Sequence, residues 1–235
     1  MGLPIRESAS TEQLLSRVDV LEPLPPGEVE RLDRVTLERS FNREELVYAP
    51  KDASEVIFLL LTGRVRLYGM ARGHEHTFNV LQSGTIFGVA SLTERTQDEY
   101  AQALEPSRIG LLGLNTFWSL VSEYPTVNAR VLGVLTERLR MSRNRTIDLA
   151  LKAVPARLAS LILDLLQSEG VLTREGNYMV LTRYTQEQLA LMIGAKRVAV
   201  TRAFGQLQDI GCVRLQRRQI YVLDLSALQR VATGE

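Results

Sequence analysis

Five residues able to read or grip a polyanion fall within seven positions: Lys196, Arg197, Val198, Thr201 and Arg202. An arginine near the start of a helix can donate two hydrogen bonds to guanine O6 and N7, while Thr and Val can meet a thymine methyl. Farther along, Arg217 and Arg218 stand side by side, which suits phosphate contacts that add affinity without reading sequence. Other chemistries find less support. The two histidines share one short stretch, Arg72-Gly73-His74-Glu75-His76, with no third ligand at a suitable spacing, so neither a metal nor a haem site is expected. No Ser/His/Asp grouping, phosphate-cradling Gly-rich loop or paired carboxylate site is readable, which argues against an enzyme. The single cysteine, Cys212, can form neither an internal disulfide nor a thiolate cage and reads as a small packing residue.

Elements must hold the basic residues on one exposed surface. Thr185 followed three positions later by Gln188 has the spacing of a capping box, which predicts a helix start that buries Leu189 and Met192. Gly194 permits a tight turn. A second helix then carries Val198, Phe204 and Leu207 as apolar contacts and exposes Lys196, Arg197, Thr201 and Arg202 on its first turns. Two helices joined by a Gly-containing turn make a helix-turn-helix, whose second helix can lie in a major groove. Cys212 to Val222 reads as a hairpin with Arg217 and Arg218 near its tip, so the unit is winged.

Upstream the pattern is different. Residues 41 to 113 read as short strands: Val65 and Leu67 alternate with Arg64 and Arg66, and Asp52, Thr62-Gly63, Arg72-Gly73 and Ser83-Gly84 punctuate the segment like an antiparallel sandwich or roll. From Pro125 the period becomes helical. Val127, Val131, Val134, Arg138, Met141 and Arg145 form one row, and Leu132, Leu135 and Leu139 form a second. Two rows need two partners, the strand domain and the same helix of a second subunit, which predicts a homodimer. A hinge falls at Ala150 to Val154, and Pro155 opens the next helix, whose buried face is Leu158, Leu161, Ile162 and Leu165.

Composition agrees with this division. With 235 residues, 45% hydrophobic and 23% charged, the chain can bury one large or two modest cores. Its net charge of +1 hides an asymmetry: residues 1 to 150 sum to −3 and residues 151 to 235 to +4, so the basic excess lies with the helix-turn-helix. The longest apolar run, Val56 to Leu61, is far short of the roughly 18 residues of a membrane span, and no signal peptide is readable. A cytoplasmic location without membrane attachment is expected.

Taken in order, a roll, a long helix and a winged helix-turn-helix resemble the CRP/FNR superfamily of bacterial transcription regulators over nearly the whole chain. Phe87-Gly88-Val89-Ala90-Ser91-Leu92 and Arg197-Val198-Ala199-Val200-Thr201-Arg202 are similar to the pocket segment and recognition helix of the nitrogen-control, NtcA-like branch. The resemblance implies an α+β chain with a cyclic-nucleotide-binding-like antiparallel β-roll over 1–124, a dimerisation helix over 125–150 and a winged helix-turn-helix over 151–235. It implies a homodimer on double-stranded DNA, acting with RNA polymerase and needing no cofactor. The DNA-binding residues would be Thr185, Lys196, Arg197, Val198, Thr201, Arg202, Arg217 and Arg218.

Members that bind cyclic AMP hold its ribose with a Gly-Glu pair and its phosphate with an Arg-Ser pair about ten residues later; the matching residues here are Gly88-Val89 and Glu99-Tyr100, which would leave the buried anion unpaired. Control by cyclic AMP is therefore not expected. The alternative is a small anionic effector such as 2-oxoglutarate, in a pocket of Phe87, Gly88, Val89 and Ala90 with Ser142 and Arg143 from the long helix and Arg95 as the roll arginine. A roll filled by its own side chains is the other reading.

Overall fold

The computed structural model describes residues 11–234. They form two compact units, the described parts of Met1–Gly69 with Phe78–Arg138, and of Met70–Thr77 with Leu139–Glu235. In chain order the first helices and strands are α1 (Thr11–Leu15), α2 (Pro26–Val35), β1 (Leu37–Phe41), β2 (Leu46–Tyr48), β3 (Val56–Thr62), β4 (Arg64–Ala71), β5 (His74–Gln82), β6 (Thr85–Phe87), α3 (Ser91–Glu94), β7 (Tyr100–Ala103), β8 (Ser107–Gly113) and α4 (Leu114–Glu123). Then follow α5 (Pro125–Leu151), α6 (Val154–Glu169), β9 (Gly170–Leu172), β10 (Tyr178–Val180), α7 (Gln186–Ile193), α8 (Arg197–Asp209), β11 (Val213–Gln216), β12 (Gln219–Val222) and α9 (Leu225–Thr233). The expected α+β architecture is present.

The first unit carries two four-stranded sheets, ordered β1-β8-β3-β6 and β2-β7-β4-β5. The run Val56 to Leu61 is the central strand β3, and its two faces serve two different cores. Ile57, Leu59 and Leu61 point to a cluster shared with helical residues such as Leu15, Leu32, Phe117 and Val127. Phe58 and Leu60 point to the opposite cluster, with Tyr48, Val65, Leu67, Phe87 and Ala101. A strand covered on both faces has no need of polar alternation, which explains its unbroken apolar sequence. Arg64 and Arg66 flank the inward Val65 and Leu67 as expected, and bond Glu105 at 2.8 Å and Gln102 at 2.8 Å.

Helix α5 presents two unlike rows. Val127 and Val131 are buried and Val134 and Leu135 pack beside them in the first unit's core, whereas Leu132 and Leu139 remain more than half exposed.

In the second unit α6 starts at Val154, with the expected Pro155 in its first turn, and buries Leu158, Leu161, Ile162 and Leu165. The small sheet, ordered β11-β12-β10-β9, lies in the same unit. The His74 to Thr77 segment begins β5 within this unit; His74 is exposed and His76 half-buried. Among the described residues no group of histidines, cysteines and carboxylates could hold a metal ion, and no helix is long and apolar enough to cross a membrane.

Two glycines with positive φ separate backbone strain from crowding. Gly88 has φ +71°, and a Cβ there would lie 2.6 Å from the Phe58 ring; Gly73 has φ +77° but open space around it. Gly73→Ala should therefore cost about 1 kcal/mol of conformational strain, and Gly88→Ala at least about 2 kcal/mol because the aromatic core must also yield. Denaturant unfolding checks this; equal losses at the two sites would contradict it.

Candidate functional site

The basic face is built from local rules. Thr185 caps α7: its Oγ1 accepts from the Gln188 amide at 3.1 Å, and Gln188 Oε1 accepts from the Thr185 amide at 2.8 Å. Such a cap is worth about 1 kcal/mol and fixes where the helix begins. At the other end Gly194 closes α7 in the left-handed region, φ 61° and ψ 46°. Arg157 of α6 donates to the Ile193 carbonyl at 2.9 Å, satisfying one of the helix's terminal acceptors. Lys196 then takes the extended N-cap geometry from which α8 departs.

Helix α8 has an inward face of Val200, Ala203, Phe204 and Leu207 and an outward face of Arg197, Val198, Thr201 and Arg202. Val198, expected among the inward contacts, is 62% exposed. Val200 takes the inward place, because positions 200, 203, 204 and 207 follow the helical period and 198 does not join them. The side chains of Lys196, Arg197 and Arg202 make no hydrogen bond or ion pair with any described residue, so their donors face outward unspent.

The wing is β11 and β12, paired from Val213↔Val222 to Gln216↔Gln219. Its two turn residues are Arg217 and Arg218, at φ 49° and 66°. Two consecutive positive φ values are the mark of a type I′ turn, which Asn-Gly satisfies without strain and Arg-Arg does not. Gln219 anchors the hairpin, its amide donating to the carbonyls of Val180 and Leu181 while its Oε1 accepts from Arg183. The structure thus gathers every expected DNA-binding residue into the second unit, with Thr185 as a cap rather than a free side chain.

The expected effector residues are divided. Phe87, Gly88, Val89 and Ala90 belong to the first unit, and the exposed Ser142 and Arg143 to the second. Arg95 is exposed, at φ 53°, and pairs with Glu55 at 3.3 Å. The arginine that does enter the roll is Arg138 of α5, which donates to the Ile86 carbonyl. Its signal was readable as a cation within the buried row that begins at Val127. Nearby, Tyr48, Phe58 and Phe87 stack with ring centroids 5.1 to 6.0 Å apart, and the Tyr48 hydroxyl donates to Glu99 Oε1 at 3.3 Å. Gln97, 3% exposed, has no hydrogen-bond partner for either amide atom, and its Nε2 lies 3.2 Å from where a Gly88 Cβ would stand. Tyr48, Gln97 and Arg138 had not been singled out for this site from the sequence.

Burial, and then the neighbouring Asp98, push the Glu99 carboxyl up to about 7. Burial also pushes Arg138 down from its ordinary value. Burial pushes the Cys212 thiol up as well, and Cys212 packs fully inside with Sγ donating to the Leu207 carbonyl at 3.3 Å.

These features define a regulator with a roll domain and a winged helix-turn-helix. Residues 156–231 match the family model described as a Crp-like helix-turn-helix domain, and residues 38–124 that of the cyclic nucleotide-binding domain. The chain is 26% identical to a CRP-like cAMP-activated global transcriptional regulator of Mycobacterium tuberculosis, over 94% of this chain and 99% of that protein. It is 28% identical to a global nitrogen regulator of Synechocystis, over 83% of this chain and 88% of that one. Its fold is similar to that of a CooA mutant from Carboxydothermus hydrogenoformans, with a TM-score of 0.79, 22% identity and coverage of 97% of this chain and 98% of that one. The chain belongs to the CRP/FNR family of DNA-binding transcription regulators, a family of regulators rather than enzymes.

Two outcomes test this geometry. Because the folded-state value of Glu99 lies above its ordinary one, its contribution to stability is fully present below about pH 4.5 and is lost as pH rises towards 7. Glu99→Gln should raise the melting temperature more at pH 8 than at pH 5; an equal gain at both would contradict the assignment. At the wing, Arg217→Asn with Arg218→Gly should relieve backbone strain and stabilise the protein by about 1 to 2 kcal/mol while weakening DNA binding. Parallel melting and anisotropy titrations check it, and a loss of stability would refute the strained turn.

Proposed function

We propose that the protein is a homodimer that binds an inverted-repeat operator in a sequence-specific manner, works with RNA polymerase in the cytoplasm and does not respond to cyclic AMP. The observation that carries this is the outward face of α8, where Arg197, Val198, Thr201 and Arg202 are presented together and the two guanidinium groups keep their donors unspent. Arg197 and Arg202 read base edges, Val198 meets a thymine methyl, and Lys196 and Thr201 support them. Arg217 and Arg218 grip phosphate, as does the backbone held by Thr185 at the start of α7. The family's usual Arg-Glu at the reading position is Arg-Val here. Valine cannot accept from cytosine N4, so readout at that step moves towards thymine.

Dimerisation is supported by the apolar row Leu132 and Leu139, left exposed on α5 while the opposite row is covered. The Mycobacterium relative is described as cAMP-activated, but the residues here that match the phosphate and ribose anchors of cyclic-AMP-binding members are Glu99-Tyr100, with Glu99 half-buried, and Gly88-Val89, which supply neither the cation nor the acceptor. Arg138 and the three stacked rings fill this region from within.

Selection from a random duplex pool tests the DNA reading. Arg197→Ala or Arg202→Ala should cost about 1 to 3 kcal/mol on the selected operator and blur its consensus, whereas Arg217→Ala should weaken all DNA alike and lower the salt dependence by about one phosphate contact. A changed consensus with Arg217→Ala, and an unchanged one with Arg197→Ala and Arg202→Ala, would reverse these roles.

A second reading is favoured by one observation, the unpartnered amide of Gln97. A small anionic effector such as 2-oxoglutarate, held by Arg138 and Gln97, would satisfy the unpartnered Gln97 amide and meet the buried Arg138 cation. Calorimetry separates the readings. No heat from cyclic AMP is expected on either, saturable binding of 2-oxoglutarate that Arg138→Ala abolishes establishes the second, and cyclic AMP binding that strengthens DNA affinity overturns both.

A further inference from the structure

Thr201 stands on the outward face of α8, one turn after Arg197 and next to Arg202. Its hydroxyl is engaged from two sides by acceptors of the protein: Gln186 Oε1 at 2.6 Å and the Arg197 carbonyl oxygen at 3.2 Å. A hydroxyl has one proton and two lone pairs, and a freely rotating threonine can offer either to a base, which makes it an ambivalent reader. Here the proton is committed inward. Only acceptor capacity remains for anything that approaches α8 from outside.

Gln186 is fixed in turn. It is the first residue of α7, directly after the Thr185 cap, so the reciprocal Thr185–Gln188 hydrogen bonds set its backbone. With Oε1 held by Thr201, its amide can only donate outward, and Nε2 makes no hydrogen bond to any described residue. The two side chains, from different helices, therefore present an acceptor beside a donor. That pair is complementary to the major-groove edge of adenine, which offers the N6 amino donor beside the N7 acceptor. Guanine offers two acceptors there, cytosine a donor alone, and thymine an acceptor beside a methyl, so no other base satisfies both groups.

We infer that Gln186 and Thr201 act as one composite reader that selects adenine at one position of each half-site, with Gln186 a specificity-determining residue outside the recognition helix. The inference rests on the reading of α8 as the helix that enters the major groove.

The test is selection from a random duplex pool with the full-length protein and its Gln186→Ala, Thr201→Val and Thr201→Ser variants, the Gln186→Ala/Thr201→Val double variant, and Arg197→Ala as a control. Gln186→Ala and Thr201→Val should each lower the adenine preference at the same half-site position by at least about fivefold, with other positions unchanged. The double variant should lose no more than either single one, since the reader works as a unit, and Thr201→Ser should retain the preference. Affinity for non-specific DNA, measured for every variant, shows that the fold is intact. An unchanged consensus with Gln186→Ala, a uniform loss of affinity without a change at any position, or effects of the two variants at different positions would each overturn the inference. If Arg197→Ala also leaves the consensus unchanged, it is the placement of α8 in the groove that fails, before the pairing is judged.

Discussion

The covered row of α5 is the constraint on which the rest of the molecule depends. A helix of 27 residues in water is held chiefly by what it buries, and α5 buries Val127 and Val131 against the core of the first unit. That choice of face fixes the others. It directs Arg138 into the roll, where its guanidinium reaches the Ile86 carbonyl, and it leaves Leu132 and Leu139 facing out. The end of the same helix belongs to the second unit, where a Cβ on Gly194 would stand 2.8 Å from Leu149. One helix thus takes part in both units, and its exposed row is the one on which the proposed dimer rests.

Charge is placed differently at the helix-turn-helix face and wing tip than elsewhere, although the second unit also has paired cations such as Lys152 with Asp148 at 2.7 Å. In the first unit, cations are spent on neighbours: Arg108 on Glu38 at 2.5 Å, Arg64 on Glu105 at 2.8 Å, and Arg130 on Asp19 at 2.6 Å. At that face and tip, Arg197, Arg202, Arg217 and Arg218 have no such partner among the described residues. Exposed pairs add little stability, so leaving these four unpaired costs the fold little and keeps their donors available to an anion. The strained turn at Arg217 and Arg218 follows the same pattern, since asparagine and glycine would suit the backbone better.

Much of this was legible in the sequence because the signals were local. The Thr185–Gln188 spacing located a helix start to the residue, Gly194 marked its end, and the alternation around Val65 and Leu67 assigned a strand and its inward face. What escaped depends on contacts between residues distant in the chain. Val198 looked like a core contact because it is apolar, yet the period of α8 gives that place to Val200. Arg138 lay in an apolar row, but its contact with Ile86 exists only once α5 packs on the roll. The bond from Thr201 to Gln186 joins two helices across 15 residues, and no spacing rule in one helix announces it.

In the proposed complex two copies of α8 read two halves of one site. Hydroxyl-radical footprinting of the selected operator, with the mass of the complex measured by light scattering, tests it most directly. Two protected patches related by a twofold axis are expected, with centres about 10.5 base pairs or a multiple of that apart, under a complex holding two chains. A single protected patch under one chain at full affinity would contradict it.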